Sequence, residues 1–225
     1  MIGRYVLACL DMAGTTVRDD GVVEEAFTLA LGAAGVTPDS AAFAAARDYV
    51  QDTMGQSKAE VFAALLGPAE AAQATAAFAR AYEQLVADGR VTAITGASEV
   101  MAWLRSRGVK VCLTTGFAPT TRQALIARLG WTGTIDLALS PADCGRGRPA
   151  PDMILGAMER LGVPDPTSVV VVGDTRSDLE AGTAAGVGAV IGVLTGAHDR
   201  ATLTAAPHTA VLDGITELPA LLEVS

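Results

Sequence analysis

Tyr5-Val6-Leu7-Ala8-Cys9-Leu10-Asp11-Met12-Ala13-Gly14-Thr15-Thr16 is the stretch that decides the fold. Its apolar half reads as a buried parallel strand. Its polar half puts a carboxylate at the strand's C-terminal end, followed by Gly and two Thr. Asp11 can attack phosphorus there, while the N–H and hydroxyl groups of the turn hold phosphoryl oxygens. A strand-end Asp that only caps its turn is the plainer reading of the residue taken alone.

Working outward, the second half alternates. The pattern predicts strands at Val109–Thr115, Ile135–Leu139, Ser168–Val172, Ala189–Val193 and Ala210–Leu212. Helices fall between or after them at Pro119–Leu129, Met153–Leu161, Ser177–Ala185 and Ile215–Leu222. Strand, helix, strand at this spacing implies an α/β fold with a doubly wound parallel sheet. From about Val17 to Ala93 no strand is expected. Glu24–Ala34, Ser40–Thr53, Ser57–Leu66 and Ala69–Ala87 read as helices, broken at Gly35, Gly55 and Gly67-Pro68. The expected organisation is a core of residues 1–17 and 94–225 with an inserted all-helical cap, 18–93, hinged near Thr16–Asp20 and Val91–Gly96.

The 225 residues are half hydrophobic but only 4% aromatic, so Ala, Val and Leu must fill the core. A net charge of −9 argues against nonspecific nucleic-acid binding and against an anionic membrane surface. An anionic small molecule would need a local basic pocket. Cys9, Cys112 and Cys144 show no paired metal spacing. Together with a start that leads straight into a strand, and no apolar run near ~20 residues, they give the expectation of a reduced, cytoplasmic protein. Of 16 basic residues two are lysine, Lys58 and Lys110.

Four segments carry chemistry, each at a strand end, where ligands of doubly wound folds gather. Asp11 is the first. Thr114-Thr115-Gly116 is the second, a hydroxyl and free N–H groups for a phosphoryl oxygen; an ordinary turn would look the same. Arg148, in Gly145-Arg146-Gly147-Arg148-Pro149-Ala150-Pro151, is the third, with a planar fork suited to two oxygens. Asp174 and Asp178 are the fourth, carboxylates four apart that suit Mg²⁺; a Ser177/Glu180 capping box is the competing reading, and both can hold. In the insertion, Met54-Gly55-Gln56-Ser57-Lys58-Ala59-Glu60 puts Lys58 in the first turn of a helix, with Ser57 and Glu60 fitting a capping box. A helix N-terminus disfavours an ammonium, and burial would add to that. A solvent-facing lysine is the alternative.

The motifs and their order resemble the haloacid dehalogenase (HAD) superfamily of phosphotransferases, and the resemblance covers essentially the whole chain. It implies Asp11 as nucleophile, Thr114 and Arg148 at the phosphoryl group, and Mg²⁺ held by Asp11, Asp174, Asp178 and the Ala13 carbonyl. It also implies a second Asp two residues after the nucleophile, to protonate a leaving oxygen. Ala13 stands there instead. Asp-x-Ala-Gly-Thr-Thr, Thr-Thr-Gly, Gly-Arg-Pro-x-Pro, Gly-Asp-Thr-x-Ser-Asp and Met-Gly-x-x-Lys together look like the phosphonatase family, the phosphonoacetaldehyde hydrolases. That likeness implies a Lys58 Schiff base, Met54 at the substrate, and pairing of two chains through their caps. The chain departs from the family at Val61 (His in the family), Phe117 (Tyr) and Met12 (Trp).

The expectation is therefore a Mg²⁺-dependent hydrolase of a 2-oxoalkylphosphonate such as phosphonoacetaldehyde. Lys58 would form the imine and Asp11 would take the phosphoryl group. Carbon leaves in this reaction, so no acid is needed at position 13. Two other readings stand beside it. One is a phosphatase acting on a small phosphate ester or acyl phosphate. The other is a non-catalytic binding protein that kept the fold.

Overall fold

A computed structural model of the chain describes residues 2–224. In chain order the elements are β1 (Leu7–Asp11), β2 (Val17–Arg18), α1 (Val22–Ala33), α2 (Ala41–Asp52), α3 (Lys58–Leu65), α4 (Pro68–Ala87), β3 (Thr92–Ala93) and α5 (Ala97–Ser106). Then follow β4 (Lys110–Thr114), α6 (Pro119–Arg128), β5 (Leu137–Leu139), α7 (Pro141–Cys144), α8 (Asp152–Leu161) and β6 (Val169–Gly173). The chain closes with α9 (Arg176–Ala184), β7 (Ala189–Val193), α10 (Arg200–Ala205), β8 (Ala210–Leu212) and α11 (Leu218–Val224).

Among the described residues, six strands form one sheet in the order β5-β4-β1-β6-β7-β8. Every pairing in it is parallel. The chain starts in the middle, steps out to one edge, and returns to build the other, as the alternation predicted. β1 lies between β4 and β6, so its end faces the crevice where the winding direction changes. Side chains alternate across the sheet because a strand has a period of two. Ala8 and Leu10 join Val111, Leu113, Val170 and Val172 on the face covered by α5 and α11. Leu7 and Cys9 turn to the other face, with Ile154 and Met158 of α8 and Ala181 of α9. Both faces are dry, which is why these strands read as unbroken apolar runs.

Helices α1 to α4 enter and leave through β2 and β3. These two-residue strands pair antiparallel, Val17 with Ala93 and Arg18 with Thr92. The expectation of no strand between Val17 and Ala93 is corrected here: the two hinges are laced together, too briefly for any period to register. α5 was also not anticipated. The last predicted helix opens as a 3₁₀ turn, Ile215–Glu217, before α11. Among the described residues no helix is long and apolar enough to cross a membrane.

The insertion lies against the core along a seam of small residues. A Cβ on Gly116 would collide with the Gln56 carbonyl, and one on Gly55, at φ +84°, would collide with the Thr175 hydroxyl. The Lys58 N–H reaches the Gly116 carbonyl at 3.4 Å. The loop before α3 therefore rests directly on the loop after β4.

Candidate active site

The C-terminal ends of β1, β4 and β6 meet the insertion around a cavity of about 490 Å³. Its lining includes Asp11, Ala13, Met54, Lys58, Thr115, Gly116, Arg148 and Asp174. Residues from five separate chain segments thus share one space.

β1 delivers Asp11, buried, at its last position. The turn that follows folds back on itself: the N–H groups of Thr15, Thr16 and Val17 all reach the Met12 carbonyl. Gly14, at φ +84°, is required, because a Cβ there would run into the Asp174 carboxylate. Arg148 is buried and its Nη1 pairs with Asp11 Oδ1 at 2.6 Å and with Asp178 Oδ1. Its Nε is buried with no hydrogen-bond partner among the described residues. A buried guanidinium N–H left unpaired costs stability unless something binds it.

Asp174 lies beyond β6. It accepts from the Thr15 hydroxyl at 3.0 Å and from the Ala197 N–H at 2.8 Å. Oxygens of Asp11, Asp174 and Asp178 lie within 4.8 Å of one another, all three residues being buried. Burial, with the Asp11 charge added, pushes the Asp174 carboxyl up to about 7. Crowded, buried carboxylates at a strand end fit a hard divalent cation, which would relieve that repulsion.

Two capping expectations are corrected. The box at α9 is formed by Thr175 and Asp178, not by Ser177 and Glu180. Asp178 occupies the third helical position and bonds back to the Thr175 N–H at 3.1 Å, while Glu180 pairs with Arg176 instead. Ser57 makes no side-chain cap bond at α3. Thr115 and Gly116 line the cavity, whereas Thr114 lines a small recess behind Arg148 with Met153 and Asp178. Alternation explains the exchange: the loop turns over after Thr114. The Thr115 hydroxyl accepts from the Phe117 N–H at 3.2 Å, so its own proton is free to donate.

Lys58 is 8% exposed. Its Nζ sits 5.2 Å from the Phe27 ring centroid, 5.9 Å from Phe78 and 5.7 Å from Phe117. Among the described residues, no hydrogen bond or ion pair reaches this ammonium. Burial lowers its pKa to about 8, the Arg148 charge acts in the same direction, and Asp11, Asp19 and Asp174 oppose them. No local pattern announces this cage. Its signal was the Phe residues themselves: only five occur in the chain, and Phe27, Phe62, Phe78 and Phe117 fall in one cluster with Tyr82. Asp19, Gln51 and Thr195 to Ala197 also line the cavity unforeseen. The last three follow β7, and a strand-end Thr-Gly was there to be read.

A family model described as haloacid dehalogenase-like hydrolase matches residues 5–186. The chain is 35% identical over 158 residues to a protein of Parabacteroides distasonis named phosphonoacetaldehyde hydrolase, and the match covers 59% of each. It is 30% identical over 218 residues to a protein of Dickeya dadantii named Probable phosphatase IndB, covering 94% of this chain and 91% of that one. Among solved structures, a phosphonoacetaldehyde hydrolase-like protein of Oleispira antarctica superposes with a TM-score of 0.83 at 24% identity, covering 99% of this chain and 93% of that one.

Proposed function

The chain belongs to the haloacid dehalogenase-like hydrolases, and from that membership we propose that it hydrolyses a 2-oxoalkylphosphonate such as phosphonoacetaldehyde to acetaldehyde and phosphate. Residues 18–93 act as its cap and the remainder as its core. The observation that carries the reading is Lys58: a lysine with no ion pair among the described residues, held among aromatic rings, opening on the cavity that contains Asp11 and Arg148.

Asp11, Asp174, Asp178 and the Ala13 carbonyl are the groups that would hold Mg²⁺. Bound there, the ion would screen the negative charge between the phosphoryl group and Asp11. Arg148 and the Thr115 hydroxyl take phosphoryl oxygens, and the unpaired Nε of Arg148 gains a partner. Met54 packs against the carbon skeleton from the cap side.

The free amine of Lys58 adds to the carbonyl and water departs, leaving a protonated imine. Asp11 then attacks phosphorus. The C–P bond breaks, and its electron pair becomes the C=C of an enamine as the iminium nitrogen is neutralised. No oxygen leaves, so the methyl of Ala13 is no defect. The enamine carbon takes a proton from water, and water releases acetaldehyde from Lys58. A second water frees phosphate from Asp11. One water is formed and two are consumed, as hydrolysis requires.

Cytoplasmic placement and pairing through the cap belong to this proposal as well. Leu29 on α1 and Tyr49 on α2 stand exposed in support of the latter. The name carried by the Dickeya relative supports a second reading, a phosphatase whose ester or acyl leaving group needs no acid at position 13. Phosphate release from oxo-phosphonates and from phosphate esters, measured side by side with Lys58→Arg, decides between them. The phosphonatase reading expects release from phosphonoacetaldehyde that Lys58→Arg abolishes. Ester turnover indifferent to that substitution would favour the phosphatase.

A further inference from the structure

Imine chemistry moves protons that neither Lys58 nor Asp11 can carry. The carbinolamine hydroxyl leaves only after it is protonated, and the water that later adds to the product iminium must lose a proton. The positions flanking Lys58 are unsuited to that work, since Val61 and Phe117 carry no titratable group. Apart from Arg148 and Asp174, which serve the phosphoryl group and the metal, the remaining ionisable residues on the cavity are Arg18, Asp19, Asp20 and Glu24. Arg18, Asp20 and Glu24 are exposed, and Asp19 is half-buried.

Asp19 sits in the hinge between β2 and α1. Its Oδ1 accepts from the Val23 N–H at 2.9 Å and so caps α1. Among the described residues no hydrogen bond reaches Oδ2. Asp19 and Lys58 feel each other's charge, each acting on the titration of the other. Next to it Asp20 takes φ +42°, a conformation uncommon for a side-chain-bearing residue, so the turn that presents Asp19 is specifically shaped.

We propose that Asp19 is the proton carrier of the Lys58 imine: its carboxylic acid protonates the carbinolamine hydroxyl, which leaves as water, and its carboxylate recovers a proton from the water that adds to the product iminium. The inference rests on the Lys58 reading above. Burial raises the Asp19 carboxyl above its ordinary value, which favours the acid needed for the first step. The Val23 bond fixes one oxygen and leaves the other for the substrate. Over one turnover the group ends as it began, so no further reactant is required.

The test is rapid-quench borohydride trapping with phosphonoacetaldehyde and Mg²⁺, comparing wild type with Asp19→Asn and Asp19→Glu. Asparagine keeps an acceptor for the Val23 N–H, so α1 stays capped, but it cannot transfer a proton. Trapped Lys58 adduct should form about 100-fold more slowly in Asp19→Asn, with partial recovery in Asp19→Glu. Melting temperature and affinity for inorganic phosphate with Mg²⁺ should match wild type, which a merely structural role for Asp19 would not explain. A decrease smaller than about tenfold would overturn the assignment while leaving the imine intact. Absence of any adduct in wild type would remove the imine reading, and Asp19 with it.

Discussion

The core and the helical insertion handle buried charge in opposite ways. In the core, Asp11, Arg148 and Asp178 are buried together and tied by ion pairs, and Asp174 is held by the Thr15 hydroxyl and the Ala197 N–H. In the insertion, Lys58 is buried with no ion pair among the described residues and faces three rings. Pairing keeps a group charged, whereas desolvation pushes a lysine toward its neutral form. An anion-handling site needs the first treatment and an amine nucleophile needs the second. Both environments border one cavity, because the core and the insertion each line part of it.

That contrast can be broken at either side. Asp11→Asn should lower phosphate release from every substrate, ester or phosphonate, by about 10⁴-fold or more. Lys58→Arg should do the same to phosphonates alone, leaving Mg²⁺-dependent phosphate binding in place. Equal losses on esters and phosphonates in Lys58→Arg would erase the division of labour; steady-state phosphate assays with both substrates report it.

Pushing the halves apart comes next in size. Gly116→Val should clash with the Gln56 backbone and lower phosphonate turnover by about 100-fold, the scale of a misplaced catalytic group. Phosphate affinity at the core should change little. Isothermal titration beside the turnover assay reads the two effects separately.

The lysine's environment gives a pH signature. Its pKa is lowered to about 8, and only the free amine adds to a carbonyl. The free-amine fraction therefore falls about tenfold per pH unit below 8 and levels off above it. A profile of kcat/KM for phosphonoacetaldehyde should rise with that slope and flatten near pH 8. Phe78→Gln, which rehydrates Nζ, should move the break upward. A break that stays in place would mean the rings do not set the pKa.

The smallest effect tests the dry side of the cage. The Tyr82 hydroxyl is buried with no hydrogen-bond partner, and its ring lies 4.5 Å from Phe117. Tyr82→Phe removes an unsatisfied polar group and should stabilise the protein by about 1 kcal/mol in urea unfolding.

How far the sequence could be read follows the same division. The core was legible where its chemical residues are local to a strand end: the apolar run before Asp11 and the Val169–Val172 run before Asp174 announce their own positions, whereas Arg148 lies in the loop between α7 and α8. Thr114 and Thr115 were exchanged because a turn's side-chain direction depends on backbone angles the sequence does not state. The insertion was legible as helices and in Lys58 itself, but not in what surrounds that lysine. Phe27, Phe78 and Phe117 meet around Lys58 only after α1 and α4 pack together and close on the core, a long-range event without a local pattern. The β2–β3 lacing and the Asp19 turn are likewise too short to leave a periodic trace.

The central claim is that Lys58 carries the carbon fragment while Asp11 takes the phosphorus. Protein incubated with phosphonoacetaldehyde and Mg²⁺, with free acetaldehyde removed by alcohol dehydrogenase and NADH, is reduced with borohydride and digested for peptide mass spectrometry. The expected product is an N-ethyl group on Lys58, the fragment left after C–P cleavage. Phosphate released with Lys58 unmodified would contradict it.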